Sequence, residues 1–350
     1  MPSFSPAYLA SLPTNATLLK QVEHLGFARG TQELFRTQAP QLVHQLTTVA
    51  RIESTESSTR LEGAVAPRER IEGIVLHGAG PTTRSEAEIA GYRDALRTIH
   101  ENAAYMPFRE TQILEIHAQL YRYLSTPGGR YKATRNDIVE MDERGAVLRV
   151  RFSPTEPYLT PVAMRNLIEG YEAAVDREVL PAVIIIALAV LDFLCIHPFP
   201  DGNGRTARLL TLLLLYRHGF EVGRYVSLER VIEQRRDGYY DALEKSSIGW
   251  HDDAHDATPW IDYFLGILVA AYREFEERIQ AVQGGQGGAK TAMVRAAVAR
   301  RMGPFAISDI KRELPDVSME LIRNVLRDLR EEGVVRLEGR GRGARYIPVQ

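Results

Sequence analysis

Residues 197–208 of this 350-residue chain read HPFPDGNGRTAR and separate two apolar segments. The segment before them has helical spacing and is expected to end at residue 196, because Pro198 and Pro200 cannot continue a helix. A second helix is expected to begin near Asn203, since residues 209–215 are again apolar. The sequence therefore predicts two buried helices that are joined by a short loop containing glycine.

This loop has the residue types of a phosphate-binding site. Gly202 and Gly204 allow the backbone to come close to a ligand, and the first N–H groups of the helix that begins near Asn203 are available to bind an anion. Arg205 and Arg208 are three residues apart, so we expect both guanidinium groups to project from one face over the same anion.

Asp201 and His197 add the groups that phosphate chemistry needs. A carboxylate such as Asp201 is a hard oxygen ligand suited to Mg²⁺ that bridges phosphates. His197 has the pKa range of a general base at neutral pH. A histidine at a helix end or an arginine pair on a helix is more often structural. The combination within twelve residues is hard to explain by packing alone, and it favours a polyphosphate site.

The same twelve residues resemble the signature of the Fic family, His-Pro-Phe-x-(Asp/Glu)-Gly-Asn-Gly-Arg-x-x-Arg, at every defined position. The resemblance implies a mainly α fold and the transfer of AMP from ATP to Ser, Thr or Tyr hydroxyls of target proteins, with self-modification included. It implies that His197 deprotonates the hydroxyl, that Asp201 binds Mg²⁺ and that Phe199 anchors the loop. It also implies a set of phosphate-binding residues: Gly202, Asn203, Gly204, Arg205 and Arg208.

Two further segments resemble parts of the same family. Residues 137–152 break the helical spacing and predict a β-hairpin with a turn over 142–145. In the family this hairpin is the flap against which the target protein lies in an extended conformation. Tyr239 and Tyr240 resemble a tyrosine pair at the adenine pocket, although aromatic residues on a helix belong more often to the core.

Residues 58–63 read STRLEG and resemble the inhibitory motif of the family, (Ser/Thr)-x-x-x-Glu-(Gly/Asn). Ser58 and Glu62 share one helix face, and Gly63 is a natural helix stop. The resemblance implies that Glu62 pairs with Arg208 and keeps the γ-phosphate of ATP from binding productively. An ordinary helix end is the alternative. A competing enzymatic interpretation has Glu62 position the water that removes AMP from a modified protein.

Composition divides the chain near residue 290. Residues 290–350 contain 13 Lys and Arg against 8 Asp and Glu, a net charge of +5, whereas residues 1–289 have a net charge of −7. Residues 284–289 read GGQGGA and predict a flexible linker. The predicted organisation is therefore an N-terminal helical region with the inhibitory motif (1–85), a Fic core (86–283), this linker and a C-terminal domain (290–350).

The C-terminal domain resembles a winged helix-turn-helix, because three predicted helices precede two short strands around a Gly- and Arg-rich segment. Arg323, Arg327 and Arg330 lie on one face of the third helix, as in a helix that reads DNA. Acidic residues on the same helix and the modest charge leave a protein partner or a homodimer as alternatives. A regulator of transcription whose core only senses nucleotide is a third interpretation of the whole chain.

The composition excludes several other classes of protein. An apolar fraction of 45% excludes disorder as a description of the chain. The single cysteine, Cys195, excludes a disulfide framework, and its position in an apolar helix predicts an inert buried thiol. The longest apolar run, 182–191, is too short to span a membrane, and residues 1–20 show no export signal. A soluble cytoplasmic protein is expected.

Overall fold

The structure, a computed structural model, describes residues 1–38, 40–141, 146–299, 301, 303–315, 317–339 and 344–348. In these residues the fold is mainly helical and has two small antiparallel hairpins. The helices are α1 Pro6–Ser11, α2 Ala16–Gln38, α3 Pro40–Leu61, α4 Arg68–His77, α5 Arg84–Asn102, α6 Glu110–Leu120, α7 Thr160–Asp176, α8 Ala182–Ile196, α9 Asn203–Arg217, α10 Leu228–Gln234, α11 Arg236–Ser247, α12 Thr258–Ala299, α13 Ile307–Glu313 and α14 Met319–Glu331. The strands are β1 Ile138–Met141, β2 Val147–Phe152, β3 Val335–Glu338 and β4 Arg345–Pro348. Short 3₁₀ helices cover Pro2–Phe4, Ala103–Tyr105, Pro157–Leu159, Val222–Arg224 and Trp250–Asp252.

The chain divides into two compact units, Met1–Phe275 and Glu276–Gln350. The linker that the sequence predicts over 284–289 stays a prediction. The domain limits predicted from the sequence stay predictions.

The core of the first unit is built around α8 and α9. Residues 183–196 of α8 are all buried, and so are residues 205–216 of α9. Helix α8 packs on α7 and α9, and α9 also packs on α5 and α6. Both helices therefore hold the ends of the loop between them in fixed positions.

Helix α3 ends beside this loop in a Schellman motif. Gly63 has a φ of 84°, its N–H donates to the Arg60 carbonyl at 3.0 Å, and the Ala64 N–H donates to the Thr59 carbonyl at 3.0 Å. The glycine stop predicted from the sequence is thus confirmed. Because the left-handed residue is Gly63, Glu62 occupies the last position before the chain turns away from the helix.

Strands β1 and β2 form the hairpin predicted from the sequence, and its expected turn at 142–145 lies outside the described residues. Val139 pairs with Val150 and Glu140 with Arg149. The hairpin is attached to α11 through Glu244, whose carboxylate lies 2.9 Å from Nη1 of Arg149 and also pairs with Arg151. These ion pairs hold β2 against the helix that carries Tyr239 and Tyr240.

The second unit has its own apolar core, which contains Val294, Ile310, Leu326 and Val335 from four successive elements. Strands β3 and β4 pair antiparallel, and Phe305 forms an isolated bridge with the second of them. The order of three helical segments and a hairpin agrees with the sequence pattern, while the winged-helix assignment stays a prediction. Residues 340–343 of the proposed wing lie outside the described residues. In the described part of the chain no helix is long and apolar enough to cross a membrane.

Candidate functional site

The loop after α8 and the start of α9 line a cavity of about 740 Å³. Its other walls come from the β1–β2 hairpin, from α11 and from the end of α3. The cavity is lined by nine of the residues that the sequence singles out: Glu62, His197, Asp201, Gly202, Asn203, Gly204, Arg208, Tyr239 and Tyr240. The fold therefore brings the loop, the inhibitory motif, the tyrosine pair and the hairpin to one place.

His197 follows α8 in a left-handed conformation with a φ of 50° and a ψ of 60°. Its Nδ1 lies 3.1 Å from the carbonyl oxygen of Leu194, and because a carbonyl only accepts, Nδ1 carries the proton. Nε2 is then left with a free lone pair. Removal of the ring from water lowers the pKa of His197 to about 4, and the nearby charge of Lys132 acts in the same direction. The imidazole is neutral at pH 7, as a base must be.

Phe199 anchors the loop as expected. Its ring is fully buried and stacks on the imidazole of His117, with ring centroids 3.7 Å apart. The side chain of Asn203 accepts from the Phe199 N–H at 2.9 Å and donates to the Phe199 carbonyl at 2.8 Å. Asn203 therefore holds the loop with its amide, and it faces an anion only with the backbone at the start of α9.

Asp201 is the exposed carboxylate of the loop. Its Oδ1 accepts from the Gly202 N–H at 2.6 Å, and its Oδ2 accepts from the hydroxyl of Tyr121 at 2.9 Å. Burial of its surroundings would raise the pKa of this carboxyl, but the Tyr121 hydroxyl and the charge of Arg205 lower it below its usual range. The ionised oxygen atoms fit one inner contact to Mg²⁺, which commonly takes few ligands from the protein and the rest from phosphates and water.

Arg205 is not among the residues that line the cavity, and its binding of phosphate together with Arg208 stays a prediction. The side chain is only 2% exposed, and its Nη1 donates to Glu88 of α5 at 2.7 Å. Its Nη2 lies 3.4 Å from Oδ2 of Asp201. Residues three apart on a helix point about 60° away from each other, and an acidic partner on the neighbouring helix turns Arg205 away from the cavity. Its contact with Asp201 orients the loop carboxylate.

Arg208 faces the cavity and meets the inhibitory motif. Its Nε donates to the hydroxyl of Ser58 at 2.8 Å, and its Nη2 donates to the Ser58 carbonyl at 3.0 Å and to Oε1 of Glu62 at 2.8 Å. Burial alone would lower the pKa of Arg208, but the carboxylate of Glu62 overcomes this effect and raises it. A Cβ at Gly204 would lie 2.4 Å from Oε1 of Glu62, so this glycine leaves the space that the carboxylate fills.

Tyr239 and Tyr240 both line the cavity, on the side of α11. Tyr239 is buried and its ring meets that of Tyr240 edge to face at 5.2 Å, while Arg236 lies over the Tyr240 ring at 5.6 Å. Cys195 is buried, and burial raises the pKa of its thiol well above the usual value. The expectation of an inert thiol therefore agrees with the structure.

The sequence analysis did not identify His117 of α6, which contacts the loop through the ring of Phe199 and the carbonyl of Asp201. Its Nδ1 accepts from the Gly129 N–H at 2.8 Å, so Nε2 carries the proton and donates to the Asp201 carbonyl at 3.0 Å. Both bonds require the neutral ring, and burial lowers its pKa to about 4. An isolated histidine on an amphipathic helix carries no sequence signal for this role.

We expect the His117→Gln variant to lose part of the pH dependence of folding stability. In the unfolded chain His117 binds a proton below about pH 6.5, whereas the folded chain binds it only near pH 4, so acid stabilises the unfolded state. This group should therefore lower the free energy of unfolding by about 1.4 kcal/mol for each pH unit between 6.5 and 4. Urea unfolding at several pH values measures the slope.

The matched control for this prediction is His77→Gln, at the exposed end of α4. The unfolding free energy of His77→Gln should depend on pH as it does in the unmodified protein. In His117→Gln this dependence should be weaker, by the amount that the binding of about one proton contributes. A His117→Gln slope equal to that of the control would contradict the assignment of a neutral, buried ring.

The fold is that of a helical protein in which a loop containing glycine joins two buried helices and lines a cavity. Residues 107–215 match the Fic/DOC family. A protein of Aquifex aeolicus that is named as a probable protein adenylyltransferase is 29% identical over 163 residues, 46% of this chain and 47% of the relative. Protein adenylyltransferase fic-1 of Caenorhabditis elegans is 26% identical over 195 residues, 55% of this chain and 33% of the relative. The chain thus spans less than half the length of these curated relatives.

A solved structure has a similar fold over more of the chain. The crystal structure of a Fic family protein from Desulfovibrio desulfuricans covers 96% of this chain and 97% of its own, with a TM-score of 0.61 and 22% sequence identity. At that identity the likeness shows the fold alone. The chain therefore has the fold of that protein, and its residues 107–215 match the Fic/DOC family.

Proposed function

We propose that this protein transfers AMP from ATP to hydroxyl groups of target proteins. The observation that carries the proposal is the neutral imidazole of His197, which lines the same cavity as Asp201, Arg208 and the N-terminus of α9. A base, an anion-binding helix end and a carboxylate are the groups that nucleotidyl transfer needs. The adenylyltransferase names of the relatives support the same reaction.

In this reaction the hydroxyl oxygen of the target attacks the α-phosphorus of ATP. The bond between the α-phosphorus and the oxygen that bridges to the β-phosphate breaks, pyrophosphate leaves, and the hydroxyl proton passes to Nε2 of His197. The negative charge of bound ATP would raise the pKa of this imidazole from its low value in the free protein, which makes it a stronger base. The backbone N–H groups of Asn203 and Gly204 bind phosphate oxygens at the start of α9.

The residues present fit Mg²⁺ through Asp201, which we propose as its ligand from the protein. In the described part of the chain, no three His, Cys, Asp or Glu side chains come together as a metal site. Mg²⁺ bound with ATP would neutralise charge on the phosphates during transfer. Tyr121 and Arg205 hold the carboxylate that this ion requires.

We further propose that Glu62 inhibits the reaction. Its carboxylate is 30% exposed and pairs with the buried Arg208. Arg208 is the arginine of the signature that lines the cavity. With Ser58 and Glu62 bound, Nε and Nη2 of the guanidinium are already in use, so fewer of its donors are left for the γ-phosphate of ATP. The alternative is that the same carboxylate positions water for removal of AMP from a modified protein. If AMP release depends on Glu62, this second activity is favoured.

The target segment is proposed to bind the β1–β2 hairpin. Val147, Leu148 and Val150 are each more than half exposed on β2, which is unusual for apolar residues of a strand. The inner face of the hairpin lines the cavity. An extended peptide that pairs with such a strand would place its hydroxyl beside His197.

The experiment that tests the proposed activity uses ATP labelled at either the α- or the γ-phosphate. The purified chain and its Glu62→Gly variant are incubated with Mg²⁺, a cell lysate and each label in turn. Protein-bound label from α-labelled ATP, together with a mass increase of one AMP, is the expected result. Label from γ-labelled ATP instead would indicate phosphate transfer and overturn the proposal.

For the second unit we propose a winged helix that contacts DNA through α14. Arg323, Arg327 and Arg330 are exposed, while the opposite face of α14 is buried in the core. An exposed row of arginines on an amphipathic helix is suited to phosphates and base edges. A protein partner is the alternative that the test must separate.

We expect duplex binding by the full chain to weaken as salt rises, and the Arg323→Ala/Arg327→Ala variant to have a shallower slope. Each phosphate contact that is lost should reduce the slope of log K against log salt by about 0.9. Fluorescence anisotropy measures both slopes, with Arg165→Ala on the exposed face of α7 as the control. Absence of duplex binding at low salt would reject the DNA proposal in favour of a protein partner.

A further inference from the structure

The loop after α8 is held by two side chains that the proposed reaction does not use. Four consecutive carbonyl groups, 196–199, accept hydrogen bonds from Lys132 and Asn136, which lie just before β1. Nζ of Lys132 donates to Ile196 at 3.1 Å, and its backbone N–H donates to Pro198 at 2.9 Å. Nδ2 of Asn136 donates to the carbonyls of His197 at 3.1 Å and Phe199 at 2.8 Å.

The two residues act as one unit. Lys132 is only 4% exposed, and its Nζ also donates to Oδ1 of Asn136 at 2.7 Å. The amide of Asn136 then uses its oxygen for Lys132 and both of its hydrogens for the loop. Although Asn136 lines the cavity, its side chain has no N–H left for a nucleotide or a target hydroxyl.

The loop needs this support because of the conformation of His197. A residue other than glycine at a φ of 50° is strained by about 1–3 kcal/mol, and it keeps that conformation only where its surroundings impose it. The last carbonyls of α8 have no partner within the helix, and Pro198 and Pro200 have no N–H to offer. The carbonyls of residues 196–198 take their partners from the segment before β1, and the carbonyl of Phe199 accepts from Asn136 and also from Asn203.

We propose that Lys132 and Asn136 are positioning residues, which hold His197 in its left-handed conformation and direct its Nε2 into the cavity. They act through the backbone of residues 196–199 and do not touch the substrates. The inference rests on the proposed AMP transfer, and it adds that the strength of the base depends on a segment outside the signature. Loss of either side chain should leave ATP binding intact and impair the chemical step.

The kinetic test measures AMP transfer by Asn136→Ala and Lys132→Met, each combined with Glu62→Gly. We expect kcat to fall at least tenfold while KM for ATP stays within about threefold, and Lys132→Arg to recover most of the lost rate because it retains a charged donor. The control is Asn102→Ala at the exposed end of α5. It removes a comparable hydrogen bond, from the asparagine amide to the carbonyl of Thr98. An unchanged kcat, or a raised KM with kcat unchanged, would overturn the proposal.

A second readout does not depend on catalysis. With ¹⁵N-labelled histidine, the ring signals of His197 are assigned from their loss in His197→Gln, and they report which ring nitrogen carries the proton. We expect the Nδ1–H form in the unmodified chain and a mixture of forms in Asn136→Ala and Lys132→Met, with circular dichroism showing that each variant is folded. Unchanged ring signals would overturn the positioning role, even if the protein transferred no AMP at all. Should Asn136→Ala fail to fold, Lys132→Met decides both tests.

Discussion

The His197→Ala variant should transfer AMP about 10²–10⁴ times more slowly than the unmodified site, with its affinity for ATP changed by no more than a few-fold. This factor is the usual contribution of a general base. The physical reason is that proton transfer and phosphate binding are assigned to different groups of the cavity. In the proposed reaction the Nε2 lone pair of His197 accepts the proton, whereas the start of α9 and Arg208 bind the phosphates.

Alanine is also strained at the left-handed position of His197, so a second variant separates loss of the base from rearrangement of the loop. His197→Asn has no basic nitrogen, but asparagine tolerates this conformation better than most residues. We expect both variants to lose transfer to a similar extent. Mass spectrometry measures the added AMP, and calorimetry measures ATP binding. Loss of nucleotide binding in stably folded variants would show instead that His197 is a binding residue.

Replacement of Glu62 by glycine should increase AMP transfer at least tenfold. Arg208 can bind either the Glu62 carboxylate or the γ-phosphate of ATP, and the carboxylate is present at a high effective concentration because it belongs to the same chain. A charge-assisted, partly buried pair of this kind can be worth a few kcal/mol, and each 1.4 kcal/mol changes the occupancy of the productive state about tenfold.

Two further variants test the reason for that increase. Arg208→Ala in the Glu62→Gly background should abolish the gain, because no guanidinium is then left to bind the γ-phosphate. Glu62→Gln keeps the size of the side chain but removes its charge. Its rate of AMP transfer should therefore lie between the rates of the unmodified protein and of Glu62→Gly. The measurement is again the mass of AMP added to the chain or to a target. Equal or lower transfer by Glu62→Gly would mean that residues 58–63 are only a helix end.

The contact between Glu62 and Arg208, which we propose to be inhibitory, depends on the attachment of α3. Nε of Arg230 in α10 lies 3.1 Å from a carboxylate oxygen of Glu53, and Nη1 of Arg60 lies 3.2 Å from that of Glu233. The Arg60–Glu233 pair is partly exposed, where such a pair contributes about 1 kcal/mol or less, whereas the side chains of Arg230 and Glu53 are each only 19% exposed. Helix α3 also packs against α5 and α10, so both packing and ion pairs attach it.

Local sequence patterns were sufficient for most helices of the first unit. The apolar spacing predicts helices over 84–102, 160–176 and 182–196, and the structure has them over the same residues. The spacing also predicts one helix over 227–244, whereas the structure divides this segment into α10 and α11 at Arg235. A break of one residue barely changes the apolar period, so the pattern cannot detect it.

The residue types of the loop predict its proposed chemistry from the sequence alone. The prolines predict the end of α8, the glycines would permit the close approach of a ligand, and the start of α9 would supply N–H groups. The resemblance of residues 58–63 predicted the pair between Glu62 and Arg208, and the structure contains that pair at 2.8 Å. Each of these features depends on residues that are near in sequence or on a motif that recurs with the signature.

Only the tertiary structure decided which partners these residues meet. Arg205 pairs with Glu88 on a neighbouring helix, a partner that the motif does not indicate. Lys132 and Asn136 carried no motif at all, yet they hold four carbonyl groups of the loop. Helical spacing gives the direction of a side chain on its own helix, and it contains no information on the charge or the hydrogen-bond donor that another segment will place there. For that reason the sequence determined the reacting groups, and the packing of distant segments determined how those groups are held.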